Sequence, residues 1–288
     1  MNLEDQSLPP FEPTLDRLYE LALRNGILEL EKRGYRLADF ENDPSARRVF
    51  MRACHYGYDL AQRKIAALVI AMEAESDQLS AELRDLRRKR DREAITVLRR
   101  IQVIRNRQIT LRRLVDTILF AMIKRQNWLL RRFTVDMGIR NIDPIVLDRT
   151  VQVAVDRNRD DRLKFSLVSD LSTVVQIGDL VEIDATAQGA CRWSLIELKH
   201  GKMNEVLSGL IEQEKSKPSG EVVELARNAL GDKAAKQAHR MIRQVRRLEE
   251  LERVVETDRG LDPLHEVEIV MTPETVPLDD YYNEIAKV

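Results

Sequence analysis

The sequence predicts an α+β chain of two modules: a long-helix, coiled-coil-like module over residues 1–138, then an α/β domain over residues 139–288. Two observations carry this division. Between Gly57 and Gly138 there is neither Gly nor Pro, so 80 consecutive residues (58 to 137) contain none of the strong helix breakers. Past Gly138 the texture changes to short β-branched runs bounded by polar segments, interleaved with helical stretches. A chain of 288 residues suits one large or two ordinary domains.

The first element follows a Pro-interrupted lead that ends near Pro13. It is a helical pattern through Leu15, Leu18, Leu21, Leu23 and Leu28 that weakens around Gly34. Asp43-Pro44-Ser45 then opens a second helix, because Pro is tolerated in the first turn and an Asp side chain accepts the orphan amide hydrogens there. Ile65, Met72, Leu79 and Leu86 recur every seven residues, and Val97, Ile104, Leu111 and Ile118 form a second series. Ile101, Gln108, Val115, Met122 and Leu129 complete a two-position seam with that second series, interrupted once by the polar Gln108. Such a seam needs another helix to cover it. The two series are offset by 11 residues (97 minus 86), which is either a stutter or a turn within RDLRRKRDREA. One continuous helix would extend roughly 120 Å at about 1.5 Å per residue. The favoured alternative is a hairpin that folds the halves into an antiparallel coiled coil.

The formal net charge of -1 gives no global attraction to nucleic acid or membrane. Locally, Arg84 to Phe133 carries 16 Lys or Arg against four Asp or Glu. The ordinary explanation is a solvated coiled-coil face whose arginine stems cover apolar neighbours. The sharper one is a track for a nucleic-acid backbone, which a nuclease elsewhere in the chain would favour. Cys54 and Cys191 lie far apart without metal-ligand spacing, which fits free thiols in a reducing, cytoplasmic setting. The acidic start lacks an apolar secretion core, and runs such as AALVIAM are far shorter than the roughly 20 residues a bilayer needs, so no membrane span is expected.

In the second module Asn141-Ile142-Asp143-Pro144 begins a helix, and LKFSLVS, TVVQIGDLVEID and RWSLIELKH read as strands. Helical stretches follow to about Val255, then a last strand HEVEIVM. Side chains alternate along a strand, so Glu197 and Lys199 share one face while Ile196 and Leu198 pack on the other. One strand thus presents an acid and a base together. If Asp179 lies on the neighbouring strand, its carboxylate and that of Glu197 can hold a hard cation such as Mg2+. Asp184, at the end of the same strand-like run, is a rival ligand.

IGDLVEID, a short connection and RWSLIELKHGK resemble the PD-(D/E)XK superfamily of restriction-endonuclease-like nucleases. There an aspartate in one strand precedes a (D/E)-x-K tripeptide in the next, and Asp179 with Glu197-Leu198-Lys199 supplies those parts. The chain departs from the family's name in having Gly178 before the aspartate, and only about 50 to 100 residues are covered. The resemblance implies a domain with a central mixed sheet. It also implies a Mg2+ site formed by Asp179, Glu197 and the Leu198 backbone carbonyl, with Mn2+ substituting. Lys199 would position the attacking water or stabilise developing charge.

Some members carry a Gln-x-x-x-Tyr motif on a later helix; Gln237 matches its first position and Met241 departs from its tyrosine. Arg240, Gln244 and Lys202 are candidate phosphate contacts, and Asp148 or Asp156 would supply an upstream acidic ligand. His200 should point away from Lys199, and Cys54-His55 lacks a second ligand pair and reads as local packing. There is no P-loop, dinucleotide fingerprint or nucleophile elbow.

The expectation is therefore a metal-dependent nuclease acting on DNA, with RNA as the alternative substrate, in defence against foreign DNA or in DNA processing. Its helical module would form a homo-oligomer or dock a partner protein. The alternative is a non-catalytic coiled-coil scaffold whose degenerate nuclease fold binds nucleic acid.

Overall fold

A computed structural model describes residues 8–36, 38–122, 142–175, 178–185, 192–196, 198, 202–213, 219–257, 259–261 and 268–270. The chain falls into two compact units, Met1–Leu198 and Lys199–Val288. The boundary expected near residue 138 lies outside the described residues. The division by compactness comes later because the first sheet is bonded into the long helices.

Two helices dominate the first unit, α4 (Pro44–Lys89) and α5 (Glu93–Met122); the shorter α1 (Glu12–Tyr19), α2 (Asn25–Lys32) and α3 (Asp39–Asn42) precede them. Asp43 caps α4 as its residue type and position require, its Oδ1 accepting from Ser45 N at 2.7 Å. The 11-residue offset between the two heptad series is a turn. Arg90 adopts the left-handed region at φ 55°, and the amide of Asp91 donates back to Leu86 O at 3.0 Å, closing α4. Asp91 Oδ1 then accepts from Glu93 N at 3.0 Å and starts α5. The turn is built without glycine, so Arg90→Gly is expected to raise stability by about 1 kcal/mol, and Asp91→Ala to lower it by about 1 kcal/mol. Urea midpoints of the two variants check both signs.

The seam that needed a covering helix finds it within the chain: Leu79 and Leu83 of α4 pack with Val97, Ile101, Val103 and Ile104 of α5, joined by Leu8. Gln108, the polar interruption, donates across the hairpin to Glu73 Oε2 at 2.7 Å, so it is satisfied without an outside partner. Arg100 Nη2 similarly meets Glu75 Oε1 at 2.5 Å.

Between α1 and α2 a π-helical segment, Glu20–Arg24, shifts the helical register. Leu18, Ala22 and Leu30 are buried as a result, whereas Leu23 and Leu28 of the expected stripe are exposed. This segment crosses α4 at Gly57, where an added Cβ would stand 2.2 Å from Leu21 O and 2.8 Å from Asn25 Cβ. Gly57, which in the sequence only bounds the breaker-free stretch, is a backbone contact.

Asp143 caps α6 (Pro144–Asp160) through Ile145 N at 2.9 Å and Val146 N at 3.2 Å. Strands β1 (Lys164–Val168), β2 (Leu180–Asp184) and β3 (Arg192–Ile196) follow as a meander in the order β1-β2-β3, both pairings antiparallel. The expected central mixed sheet is not seen among the described residues. A parallel neighbour needs a crossover of a dozen or more residues, and the connections 169–179 and 185–191 are too short for one. The long strand expected over Thr173 to Asp184 shrinks to five residues, because a 3-10 turn (Ser169–Leu171) and bends precede it.

The free edge of β1 is covered by side chains of two helices. Gln62 Oε1 accepts from Val168 N at 2.8 Å and its Nε2 donates to Ser166 O at 3.2 Å. Asn158 Oδ1 accepts from Ser166 N at 2.6 Å, and its Nδ2 donates to Asp59 Oδ1 at 3.1 Å. Two buried amides thus stand in for a fourth strand, meeting main-chain groups that would otherwise be left unpaired.

The second unit contains α7 (Lys202–Gln213), α8 (Ser219–Leu230) and α9 (Asp232–Thr257), with a separate antiparallel pair, β4 (Arg259–Leu261) and β5 (Glu268–Val270). Leu207, Ala226, Ala234, Ala238 and Met241 form its core. The small alanines let the helices approach closely. No helix among the described residues is long and apolar enough to cross a membrane.

Candidate functional site

Gly178 and Asp179 lead into β2. Gly178 sits at φ +70°, where a proline ring, locked near -65°, cannot go. Glycine rather than proline before Asp179 therefore has a backbone reason. Asp179 is bound on three sides: its amide donates to Ile196 O at 2.8 Å, its carbonyl accepts from Ser169 N at 2.9 Å, and its Oδ2 accepts from Leu198 N at 2.5 Å. Both chain neighbours of Glu197 are thus hydrogen-bonded to Asp179. Glu197 itself, Lys199 and His200 lie outside the described residues, so the proposed carboxylate pair is seen from one member only. Among the described residues, no group of three or more His, Cys, Asp or Glu side chains could hold a metal ion.

The rival Asp184 is at the other end of the strand. It pairs with Arg192 in the register, while Leu180 pairs with Ile196, which puts Asp184 about 14 Å along the ladder from that end at roughly 3.4 Å per residue. Its carboxylate meets Lys164 Nζ at 3.5 Å. Glu182, between them, accepts from Arg157 at 2.7 and 2.8 Å and from Ser166 Oγ at 3.0 Å, so it ties α6 to the sheet.

The segment leading to Gly178 is anchored on α5. Asp116 Oδ1 accepts from Thr173 N at 2.9 Å and from Ser172 Oγ at 2.5 Å, while its Oδ2 accepts from Thr173 Oγ1. Arg112 Nη2 donates to Ser172 O at 2.8 Å. Neither residue was singled out from the sequence. Asp116 carried a signal nonetheless, being the only acid between Glu93 and Asp136 in a basic run.

Of the peripheral candidates, Asp148 and Asp156 are on the exposed face of α6, and Asp156 already accepts from Gln152 at 3.2 Å. No described contact links either to Asp179. Gln237 is half-buried on α9, one turn before Met241, which is fully within the core of the second unit. That apolar setting explains why a tyrosine, with a hydroxyl to satisfy, is absent there. The side chains of Lys202, Arg240 and Gln244 lie outside the described residues.

Cys54 and His55 are interior, as local packing requires. The His55 ring packs beside Tyr58 and Phe165, with centroids 6.3 and 5.8 Å away, and its Nδ1 is 3.0 Å from Arg162 O. Burial pushes the Cys54 thiol up to about 12, and burial lowers His55 from 6.5 to about 4. Between those two values the unfolded chain binds a proton at His55 that the folded chain refuses. Stability from this group is therefore complete above 6.5 and lost as pH falls toward 4. The loss should reach about 3 kcal/mol, and His55→Asn should flatten it in chemical denaturation between these pH values.

No protein-family model, curated protein or solved structure matches this chain.

Proposed function

We propose that the chain is a metal-dependent nuclease that hydrolyses phosphodiester bonds in DNA, with RNA as the alternative substrate. The observation that carries this reading is the double attachment of Asp179 to Ile196 and Leu198, the residues on either side of Glu197. The order helix, β1, β2, β3, with antiparallel pairing and Asp179 at the head of β2, supports it.

In this reading the Asp179 and Glu197 carboxylates and the Leu198 carbonyl hold Mg2+, a hard cation that such oxygens suit, and Mn2+ substitutes. When bound, the ion supplies Lewis-acid polarisation of a phosphoryl oxygen and a lowered pKa for an attacking water. Lys199, next but one to Glu197 in the chain, would orient water or offset charge developing on the phosphate. The bonds of Asp179 to Ile196 and Leu198 hold it in register with the end of β3, so that the carboxylate is positioned before substrate arrives.

The test is cleavage of supercoiled, linear and single-stranded DNA, and of RNA, by wild type and Glu197→Ala across Mg2+ concentrations. Metal-dependent cleavage by wild type alone supports the reading and reveals the substrate. Cleavage by both rejects this site, and nucleic-acid binding without cleavage by either favours the non-catalytic scaffold.

A further inference from the structure

The basic run along the hairpin contains cations of two kinds. Arg107 is buried, with Nη1 donating to Pro9 O at 2.9 Å and its guanidinium 5.0 Å from the Phe11 ring centroid. Arg112 is buried on Ser172, Arg100 is paired with Glu75, and Arg88 with Asp85. Arg107 and Arg112 belong to the fold, and Arg100 and Arg88 are held in ion pairs. Arg84, Arg87, Lys89, Arg90, Arg92, Arg99, Arg105 and Arg113 are all exposed and form no ion pair with the described residues.

Their placement is ordered. Arg84, Arg87, Lys89, Arg90 and Arg92 crowd the last turns of α4 and the left-handed turn. Arg92, in the turn just before α5, and Arg99 and Arg113 on α5 are separated by 7 and 14 residues, which sets them at one heptad position, opposite the seam that packs on α4. The line spans about 32 Å at 1.5 Å per residue, close to one turn of duplex DNA. From Arg84 to Arg113 there are only three acids. Asp85 is spent on Arg88 and Asp91 on the cap of α5. A solvated coiled-coil face ordinarily mixes both signs; this one leaves its positive charge uncancelled, at a cost in mutual repulsion.

We infer that the hairpin arm, from Arg84 around the turn to Arg113, is a docking surface for the phosphate backbone of a nucleic-acid duplex. Arginine predominates over lysine seven to one in this set, and its planar fork suits phosphate oxygens. Arginines that meet phosphates contribute affinity and position without sequence preference. This deepens the nuclease reading by naming where substrate is held, and it is tested without any cleavage.

Binding of the full chain to a fluorescent 30-base-pair duplex is measured by anisotropy in EDTA, from 50 to 200 mM salt. The variant Arg87→Gln/Lys89→Gln/Arg92→Gln/Arg99→Gln is expected to bind at least about tenfold more weakly, with a salt slope shallower by about 3 to 4, near 0.9 per lost contact. A control, Arg24→Gln/Arg33→Gln on the first helices, should match wild type. Equal affinity and slope for the arm variant and wild type would overturn the inference. So would wild-type binding to vesicles containing phosphatidylserine with no binding to the duplex. Because no divalent metal is present, loss of catalysis in Glu197→Ala and loss of binding in the arm variant report on separate claims.

Discussion

Asp179→Asn is expected to lower Mg2+-dependent DNA cleavage by roughly a thousandfold, the scale seen when one charge-stabilising group is removed from an active site, while leaving the fold intact. The isostere separates structure from chemistry. An asparagine Oδ1 can still accept from Leu198 N, where Asp179 Oδ2 now sits at 2.5 Å, and the main-chain bonds to Ile196 and Ser169 do not involve the side chain. Only the negative charge is lost. The measurements are nicking rate on supercoiled DNA and the urea midpoint. Asp184→Asn, made in parallel, removes the partner of Lys164 and should leave the rate unchanged. If Asp184→Asn abolished cleavage and Asp179→Asn did not, the metal ligand would be misassigned. If neither changed the rate, the site would be elsewhere.

Phe165→Ala should destabilise the first unit by about 3 to 5 kcal/mol, the range for emptying a large aromatic site that neighbours cannot refill. Phe165 is fully buried in β1, 5.7 Å by ring centroid from Tyr58 and 5.8 Å from His55. Its neighbour Ser166 is clamped on the outer edge by Gln62 and Asn158, so β1 cannot slide inward to close the cavity. Phe165→Leu, which leaves a smaller void, should cost about half as much. Both are read from chemical denaturation monitored by circular dichroism; a loss under about 1 kcal/mol for the alanine variant would mean that the α4–β1 packing relaxes freely.

Much of the helical architecture was legible because it depends on local chemistry. Missing breakers, the Asp43-Pro44 and Asp143-Pro144 caps and seven-residue recurrences all act within a few turns of chain, and each led to a described helix. The heptad offset marked a discontinuity but could not decide turn from stutter; the left-handed Arg90 decides it. The candidate site was half legible. A strand-like run with Gly178-Asp179 at hairpin distance from Glu197-Leu198-Lys199 pointed to the place where β2 begins beside the end of β3. Asp116, which anchors the segment before Gly178, and Asn158, which finishes the edge of β1, were passed over, because nothing local distinguishes a polar side chain that will bond a distant backbone from one that will face water.

The sequence by itself determined the long helices, their caps and the seam, since these follow from side-chain periodicity and backbone propensity along one segment. Only the tertiary structure decided direction and company. It turned Arg107 and Arg112 inward and left Arg99 and Arg113 outward, set Asp179 beside Ile196 and Leu198 and Asp184 at the far end of the strand, and used Gln62 and Asn158 to finish a sheet edge. The physical reason is that charge and hydrogen-bonding capacity are properties of a residue, whereas what satisfies them is set by elements about 60 to 110 positions away in the chain.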